Sequence, residues 1–415
     1  MRRFRIGSAF GIPIQLDLTF LLVLPLFAWL IGAQVGQSAE LMNDVWGAGI
    51  DGAALSTGQL PWILGVTAAL GLFAGVVLHE LGHSVVAMRY GFPISSITLW
   101  LFGGIAQLEE MPEDWKPELF IAIAGPAVSV ALAGLSYAGF LLVPTGDAVG
   151  VASVKFLLGY LALMNLALAI FNMLPGFPMD GGRVLRALLA RNRPFAQATQ
   201  IAAEVGKLFA LLLGLFGLFG LFGGGGLFLV AIAFFIYIGA SSEAQMTTMK
   251  AAFEGVTVRD VMTPADRVQT VDPELSVAEL MELMFRERHT GFPVVDDTRI
   301  IGLVTLEDAR AVREVEREAF RTEEVMTTDL QTIHPDENAM TAMTRMQEHN
   351  IGRLIVMEDD EFVGLLTRSD LMTALSIIKE SGRDTAPSGR ALNGGVPTTM
   401  SHDERTGQDD RRFED

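Results

Sequence analysis

The sequence contains no cysteine among its 415 residues. Disulfide bonds and cysteine-ligated zinc sites are therefore excluded, and only histidine, aspartate or glutamate could hold a metal ion. Histidine is also scarce, with six copies. Charged residues make up only 19% of the chain, whereas hydrophobic residues make up 50%. This composition is typical of a membrane protein with a soluble part attached.

The charges that are present are concentrated late in the chain. Residues 251–415 hold 34 of the 48 acidic and 18 of the 30 basic residues, and so carry −16 of the net charge of −18. An acidic soluble part repels the phosphates of a nucleic-acid backbone. We therefore expect no nucleic-acid partner.

Long apolar stretches dominate the first 250 residues. A helix needs about 20 apolar residues to cross a bilayer. Stretches of that length lie near 17–35, 61–88, 117–143, 153–174, 205–222 and 227–245. The loops near 36–60 and 144–152 contain no Lys or Arg, whereas the opposite loops do. The positive-inside rule therefore predicts a multi-pass protein of the cell membrane, in contact with lipid, with both termini cytoplasmic.

The segment 92–107 differs from the spans that flank it. It is rich in β-forming residues, is broken by Gly103 and Gly104, and is too short to cross the bilayer as a helix. We expect a short membrane-associated β segment, with an edge that could pair with an extended peptide. An irregular interfacial loop is the alternative.

The second span contains the sequence His-Glu-Leu-Gly-His, residues 79–83. His79 and His83 are four residues apart, so they face the same way on a helix and can offer two nitrogens to one metal ion. Glu80 is placed to take a proton from a metal-bound water. A chance occurrence is the alternative, but an unpartnered ionisable cluster is costly in hydrocarbon. The pattern indicates a metal site.

A carboxylate is needed as the third ligand, because neither cysteine nor another histidine occurs in the first 250 residues. Asp180 is the candidate, at the end of the fourth span and on the cytoplasmic side predicted for His79. Pro175 and Pro178 break the helix before it. Asn172 could orient a substrate carbonyl. The alternative for Asp180 is a helix N-cap.

These motifs resemble the site-2 protease family of intramembrane zinc metalloproteases, over roughly residues 1–245. The resemblance rests on the motif at 79–83 and on Asn-x-x-Pro-x-x-Pro-x-Asp-Gly-Gly from residue 172. It implies one Zn²⁺ per chain held by His79, His83 and Asp180, Glu80 as general base, and a transmembrane protein as substrate. Gly125-Pro126 matches a recurrent structural feature of that family. A protease domain is expected over 1–250.

The remaining chain repeats itself: Val-Met-Thr at 261–263 recurs at 325–327, and Gly302-Leu-Val-Thr305-x-x-Asp308 recurs as Gly364-Leu-Leu-Thr367-x-x-Asp370. The two copies resemble tandem CBS domains, expected at 256–312 and 321–380. The resemblance implies an α+β module. Residues 381–415 have few apolar residues and are expected to form a disordered acidic tail.

In CBS domains the Thr and Asp of this pattern often hold an adenine nucleotide. Carried over, the candidates for ATP, ADP or AMP are Thr305, Asp308, Thr367 and Asp370. The alternative is that each Asp caps the helix that follows it and that the module makes a homodimer.

The sequence thus predicts an α-helical polytopic membrane protein of about six spans, with a β segment and an α+β CBS pair. The function we expect is regulated intramembrane proteolysis, modulated by a nucleotide. A CBS-gated transporter or channel and an inactive membrane scaffold are the alternatives. The complete set of His79, Glu80, His83 and Asp180 favours the protease, because a transporter does not need it and an inactive relative would be expected to lack part of it.

Overall fold

The computed structural model describes residues 3–100, 103–108, 114–146, 148–220, 226–297 and 299–380. The predicted disordered tail, 381–415, and most of the glycine-rich turn at 223–226 lie outside these residues. The chain divides into two compact units, Met1–Ala251 and Ala252–Asp415. Each unit is described by itself.

The first unit is built mainly from long apolar helices. Five of them are long and apolar enough to cross a membrane: α4 Leu60–Arg89, α5 Trp115–Leu142, α6 Val149–Asn172, α8 Phe195–Leu218 and α9 Gly226–Ala252. A bent pair, α1 Phe20–Ala33 and α2 Val35–Trp46, makes a sixth span if it is counted as one, and its two helices differ in direction by 61°. The prediction of a polytopic helical protein with about six spans is confirmed.

The segment predicted as an outer loop, 36–60, is largely helical. It contains most of α2 and the short α3, Gly52–Leu55. The side chain of Asn43 closes the turn between them, donating to the Ile50 carbonyl oxygen at 2.8 Å and accepting from the Ile50 N–H at 2.9 Å. The buried face of α2, with Ala39 and Met42, packs into a core shared with Phe156 of α6. Burial of this face explains the helix.

A four-stranded sheet completes the first unit. Its strands are β1 Arg3–Ala9, β2 Ile12–Asp17, β3 Ile94–Trp100 and β4 Gly103–Leu108, in that order across the sheet. The β3–β4 pair is the predicted β segment, and it is antiparallel. The unexpected partner is β2, which pairs parallel to β3 with Ile14 opposite Ile97. Both β1 and β4 are edges of this sheet.

The second unit contains two copies of one α+β arrangement, as the repeat predicts. In the first copy, α11 Val277–Glu287 precedes the hairpin β6 Gly291–Asp296 and β7 Arg299–Thr305, and α12 Leu306–Ala311 follows. The second copy has the same order: α14 Ala339–Glu348, β9 Arg353–Glu358, β10 Glu361–Thr367 and α15 Arg368–Glu380. Shorter elements are α10 Val258–Val261, β5 Thr263–Pro264, α13 Thr322–Val325 and β8 Thr332–Ile333.

The two copies exchange their opening segments. β5, which opens the first copy, pairs with β10 of the second, through Leu365 and Thr263. The equivalent Thr327 of the second copy forms a bridge with Leu303 in β7 of the first. Because each copy completes the other's sheet, we expect the two copies to fold as one module.

Candidate active site

The two histidines of the predicted metal site lie on one face of α4. Residues 60–89 form one helix because they are almost wholly apolar, and Pro61 stands in the first turn, where its missing N–H costs nothing. His79 and His83 are 4% and 5% exposed. Their rings are withdrawn into the interior of the first unit, as ionisable groups in a membrane protein usually are.

Asp180 joins these histidines in one group of three donors. Its Oδ2 lies 3.1 Å from His79 Nε2 and 3.2 Å from His83 Nε2, and the two Nε2 atoms are 3.2 Å apart. A tetrahedral zinc ion with bonds of about 2.0–2.1 Å holds its ligand atoms roughly 3.3 Å apart. The three donors therefore fit one zinc ion with a fourth position left open for water or substrate.

The outer nitrogen of each ring has its own partner on α5. His79 Nδ1 lies 2.9 Å from Ser129 Oγ, and His83 Nδ1 lies 2.6 Å from the carbonyl oxygen of Ile121. Such contacts fix the orientation of each ring and direct Nε2 toward the third donor. Neither partner is predicted by the sequence. The sequence offers one weak indication of these contacts, which is that residues 121, 125 and 129 share one face of a helix.

Gly125 explains how α5 comes so close to the two rings. A Cβ atom at this position would lie 2.7 Å from His79 Nε2, and even closer to the Nε2 of His83. Glycine is therefore required by space, since a methyl group would occupy the volume of the donor atoms. A similar close approach occurs at Gly82, where a Cβ would lie 2.9 Å from the Ala124 carbonyl oxygen. The structural role of Gly125 is therefore to leave room for the two histidine rings against α5.

Asp180 reaches α4 because the chain folds sharply between α6 and α7. It is the first residue of α7, Asp180–Ala190, and the N-cap is Met179. A Cβ atom at Gly181 would lie 2.6 Å from the Met173 carbonyl carbon, and one at Gly182 would lie 2.5 Å from the Phe177 nitrogen. The two glycines let α7 fold back onto the preceding turn. Asp180 is thereby carried to the histidines.

Glu80 and Asn172 lie outside the group of three donors. A Cβ atom at Gly104 of β4 would lie 3.2 Å from the Glu80 carboxyl carbon and 3.3 Å from its Oε1. The Glu80 carboxyl group therefore lies directly against the backbone of the edge strand. Asn172 is the last residue of α6, eight residues before Asp180, and is half-buried.

One other group in the described residues has metal-ligand spacing, and it differs in character. His334, Asp336 and Glu358 belong to the second unit, and His334 and Asp336 are exposed. Arg259 donates to Asp336 Oδ1 at 3.2 Å and to Glu358 Oε1 at 2.6 Å. A cationic side chain already bridges these carboxylates, so the buried group at His79 is the stronger candidate.

The residues predicted to bind a nucleotide form hydrogen bonds with one another. Thr305 donates to Asp308 Oδ2 from its N–H at 2.8 Å and from its hydroxyl at 2.7 Å. Thr367 does the same to Asp370 Oδ2, at 2.9 and 2.7 Å. Each pair begins the helix that follows it, which is the capping role given as the alternative.

The two pairs nevertheless have different surroundings. Thr305 and Asp308 line a cavity of about 430 Å³ between the two copies, and Thr367 and Asp370 are not among its lining residues. Arg353 also lines it. Its guanidinium donates to Thr290 Oγ1 at 2.6 Å, and partial withdrawal from water lowers the pKa of Arg353 from its ordinary value. The two copies carry the same sequence motif, but only the motif of the first copy lines this cavity.

Apolar spans around two histidines, a carboxylate and an adjacent glutamate define a membrane-embedded metallopeptidase. Comparison with known proteins agrees. The model of peptidase family M50 matches residues 67–154 and 139–213, and the CBS domain model matches 258–314 and 323–377. The chain belongs to peptidase family M50, the site-2 protease family, and is a metalloprotease with a CBS pair.

Relatives match along most of their length. A zinc metalloprotease of Methanocaldococcus jannaschii is 31% identical over 376 residues, which are 90% of this chain and 96% of the relative. Rip3 of Mycobacterium tuberculosis is 32% identical over 383 residues, covering 90% and 93%. Among solved structures, a site-2 protease from Methanocaldococcus jannaschii is 36% identical and covers 59% of this chain and 95% of its own, with a TM-score of 0.38.

Proposed function

We propose that His79, His83 and Asp180 bind the single zinc ion of this protease and that Glu80 is its general base. The observation that carries the proposal is the triangle of donor atoms, with sides of 3.1 to 3.2 Å. A bound zinc ion supplies Lewis acidity, which acidifies water and polarises a peptide carbonyl. Glu80 accepts the proton of the attacking water and returns it to the leaving amine.

We propose that the substrate segment that contains the scissile bond binds along the edge strand β4. A helical substrate must unwind locally, because its carbonyl groups are engaged in its own hydrogen bonds. An extended segment beside β4 would regain backbone hydrogen bonds and would run past Gly104, against which Glu80 lies. The substrate we propose is the transmembrane segment of another membrane protein.

Glu80→Gln tests the catalytic assignment in the full chain. Both forms are expected to retain one zinc per chain, and only the unmodified form should cleave single-span membrane substrates. A general base typically contributes 10² to 10⁴ in rate. Equal cleavage by the two forms would contradict the proposal.

We also propose that both termini and the CBS unit are cytoplasmic. The support is the lack of Lys and Arg from 36–60 and 144–152. The absence of native cysteine allows a direct test with single-cysteine variants. A membrane-impermeant maleimide added outside intact cells should label Gly146→Cys and leave Lys250→Cys unlabelled; the reverse pattern would overturn the orientation.

For the second unit, we propose that the cavity between the copies binds an adenine nucleotide that modulates proteolysis. Thr305 and Asp308 would hold the ribose and phosphate, and the guanidinium of Arg353 would attract the phosphate. Glu307 and Asp329 also line the cavity, so the charge balance favours AMP over ADP and ATP. Thr367 and Asp370 are the weaker candidates. Binding of AMP, ADP and ATP to the full chain tests this, and no binding at millimolar ligand would leave the homodimer role.

A further inference from the structure

Helix α7, which begins with Asp180, also carries a buried arginine whose ion pairs the proposed chemistry does not use. Arg186 of α7 is 2% exposed and contacts Glu118 of α5, which is 3% exposed. The same guanidinium donates from Nη1 to Glu243 Oε1 of α9 at 2.7 Å. Removing charges from water is expensive, so a cluster of this kind needs close pairing. Here one arginine joins three helices.

Two aromatic rings hold the same guanidinium. Its Cζ lies 4.8 Å from the ring centre of Phe177 and 4.6 Å from that of Phe195. Phe177 belongs to the turn before Asp180, and Phe195 begins α8. Arg186 therefore contacts the chain on both sides of the segment that carries Asp180, and cation–π contacts of a desolvated guanidinium are among the stronger ones.

The first turns of α5 contact both this cluster and one of the histidines. Glu118, which holds Arg186, is three residues before Ile121, whose carbonyl oxygen holds His83. Residues three apart in a helix lie on nearly the same face. One turn of α5 therefore positions the helix of the histidines and the helix of Asp180 at once.

We propose that Arg186 is the positioning residue for Asp180, acting through Glu118, Glu243 and Phe177 to fix α7 against α5. This inference rests on the proposed role of Asp180 as a zinc ligand. Arg186 itself lies six residues beyond Asp180, about 9 Å along the helix axis. Its effect is on the placement of the carboxylate and so on metal retention.

Arg186→Met tests the inference, with Arg191→Met as the matched control. Arg191 is the C-cap of the same helix and is exposed, with its Cζ 5.5 Å from the Trp115 ring. Loss of a group that contacts a metal ligand directly typically costs 10- to 100-fold in metal affinity, and Arg186 acts one step further away, so its effect should lie at the lower end of that range. In chelator competition we expect Arg186→Met to bind zinc about 10-fold more weakly, and Arg191→Met to match the unmodified protein.

The visible spectrum of the Co²⁺-loaded protein separates positioning from a general loss of stability. If Arg186 places Asp180, the Co²⁺ bands of Arg186→Met should shift toward those of Asp180→Ala, and Arg186→Lys should restore them in part. Glu243→Gln keeps an acceptor of the same shape and should shift the same bands less, which provides a test if Arg186→Met does not fold. Unchanged bands in the folded Arg186 or Glu243 variants would overturn the inference. If the Co²⁺ spectrum of Asp180→Ala is the same as that of the unmodified protein, the assignment of Asp180 as a zinc ligand is wrong instead.

Discussion

The metal-ligand group and the cavity between the CBS copies use their polar atoms in opposite ways. At the first site, each ring nitrogen that does not face the donor triangle is bonded to α5, through Ser129 or the carbonyl of Ile121. The three inner atoms are left facing one another. At the second site, Thr305 and Asp308 already satisfy each other within one turn of chain.

The difference follows from the surroundings of the two sites. His83 Nδ1 must donate to the Ile121 carbonyl oxygen, so in the neutral ring Nε2 presents a lone pair to the Asp180 carboxylate. Converging lone pairs in a protein interior are costly unless a cation lies between them, so their convergence indicates a metal ion. In the second unit, a threonine and an aspartate have a sufficient structural role as a helix cap. A motif whose metal-ligating atoms converge from two distant parts of the chain is therefore better evidence for binding than a motif that forms a helix cap within one turn.

Among the variants that test this comparison, Asp180→Asn should have the largest effect on zinc content and cleavage. It keeps the size of the side chain but removes the charge that a zinc ion requires, so we expect zinc content well below one per chain and cleavage at background level. Metal analysis and a cleavage assay measure both. Asp114→Asn is the control, because asparagine caps α5 about as well as aspartate. Full zinc content in Asp180→Asn would show that Asp180 is not a zinc ligand.

Gly125→Ala should come next. The added methyl group would overlap both donor nitrogens, and we expect zinc affinity to fall on the order of 100-fold, at the upper end for changes around a metal site. Chelator competition measures it. Gly134→Ala on the same helix meets no atom within 4 Å and should leave affinity unchanged. Equal affinities in the two variants would mean that α5 does not support the rings as described.

Ser129→Ala should have a smaller effect. It removes the partner of His79 Nδ1 but adds no volume, so we expect about a 10-fold loss of zinc affinity. Ser153→Ala, which loses only an exposed bond to its own helix, is the control. An unchanged affinity in Ser129→Ala would indicate that the ring of His79 is held by packing alone.

The smallest effect is expected from the matched pair Asp308→Ala and Asp370→Ala. Each loses the carboxylate of a capping box whose N-cap is a threonine, which costs about 1 kcal/mol of unfolding free energy. Only Asp308 lines the cavity, so only Asp308→Ala should weaken nucleotide binding. Calorimetry on the full chain gives both quantities. If Asp370→Ala weakens binding equally, the second copy has a site of its own and the contrast between the copies is wrong.

Sequence alone was enough for the local features of this fold. The spans, the β segment and the CBS repeat follow from hydrophobic patterns or from residues close together in the chain. The convergence of Asp180 with His79 and His83 could also be expected, because few residues were available as ligands and the predicted topology put these three on one side of the membrane.

The contacts that were missed depend on tertiary structure. Strand β2 pairs with β3 more than 70 residues further along, and no local pattern specifies that pairing. Ser129 is an ordinary small residue of a transmembrane helix until α4 packs against it. Arg186 is one of several positive charges that follow the fourth span, and nothing in that pattern indicates that the structure buries it between two glutamates.

The position of Glu243 sets a practical lower limit on the size of a working enzyme. It lies on α9, which continues to Ala252, where the second unit begins. A truncation intended to remove the CBS pair but keep proteolysis must therefore retain α9 at least through Glu243. A form that ends before Glu243 would lose one of the two carboxylates that hold Arg186, and its loss of activity would wrongly be attributed to the missing CBS domains.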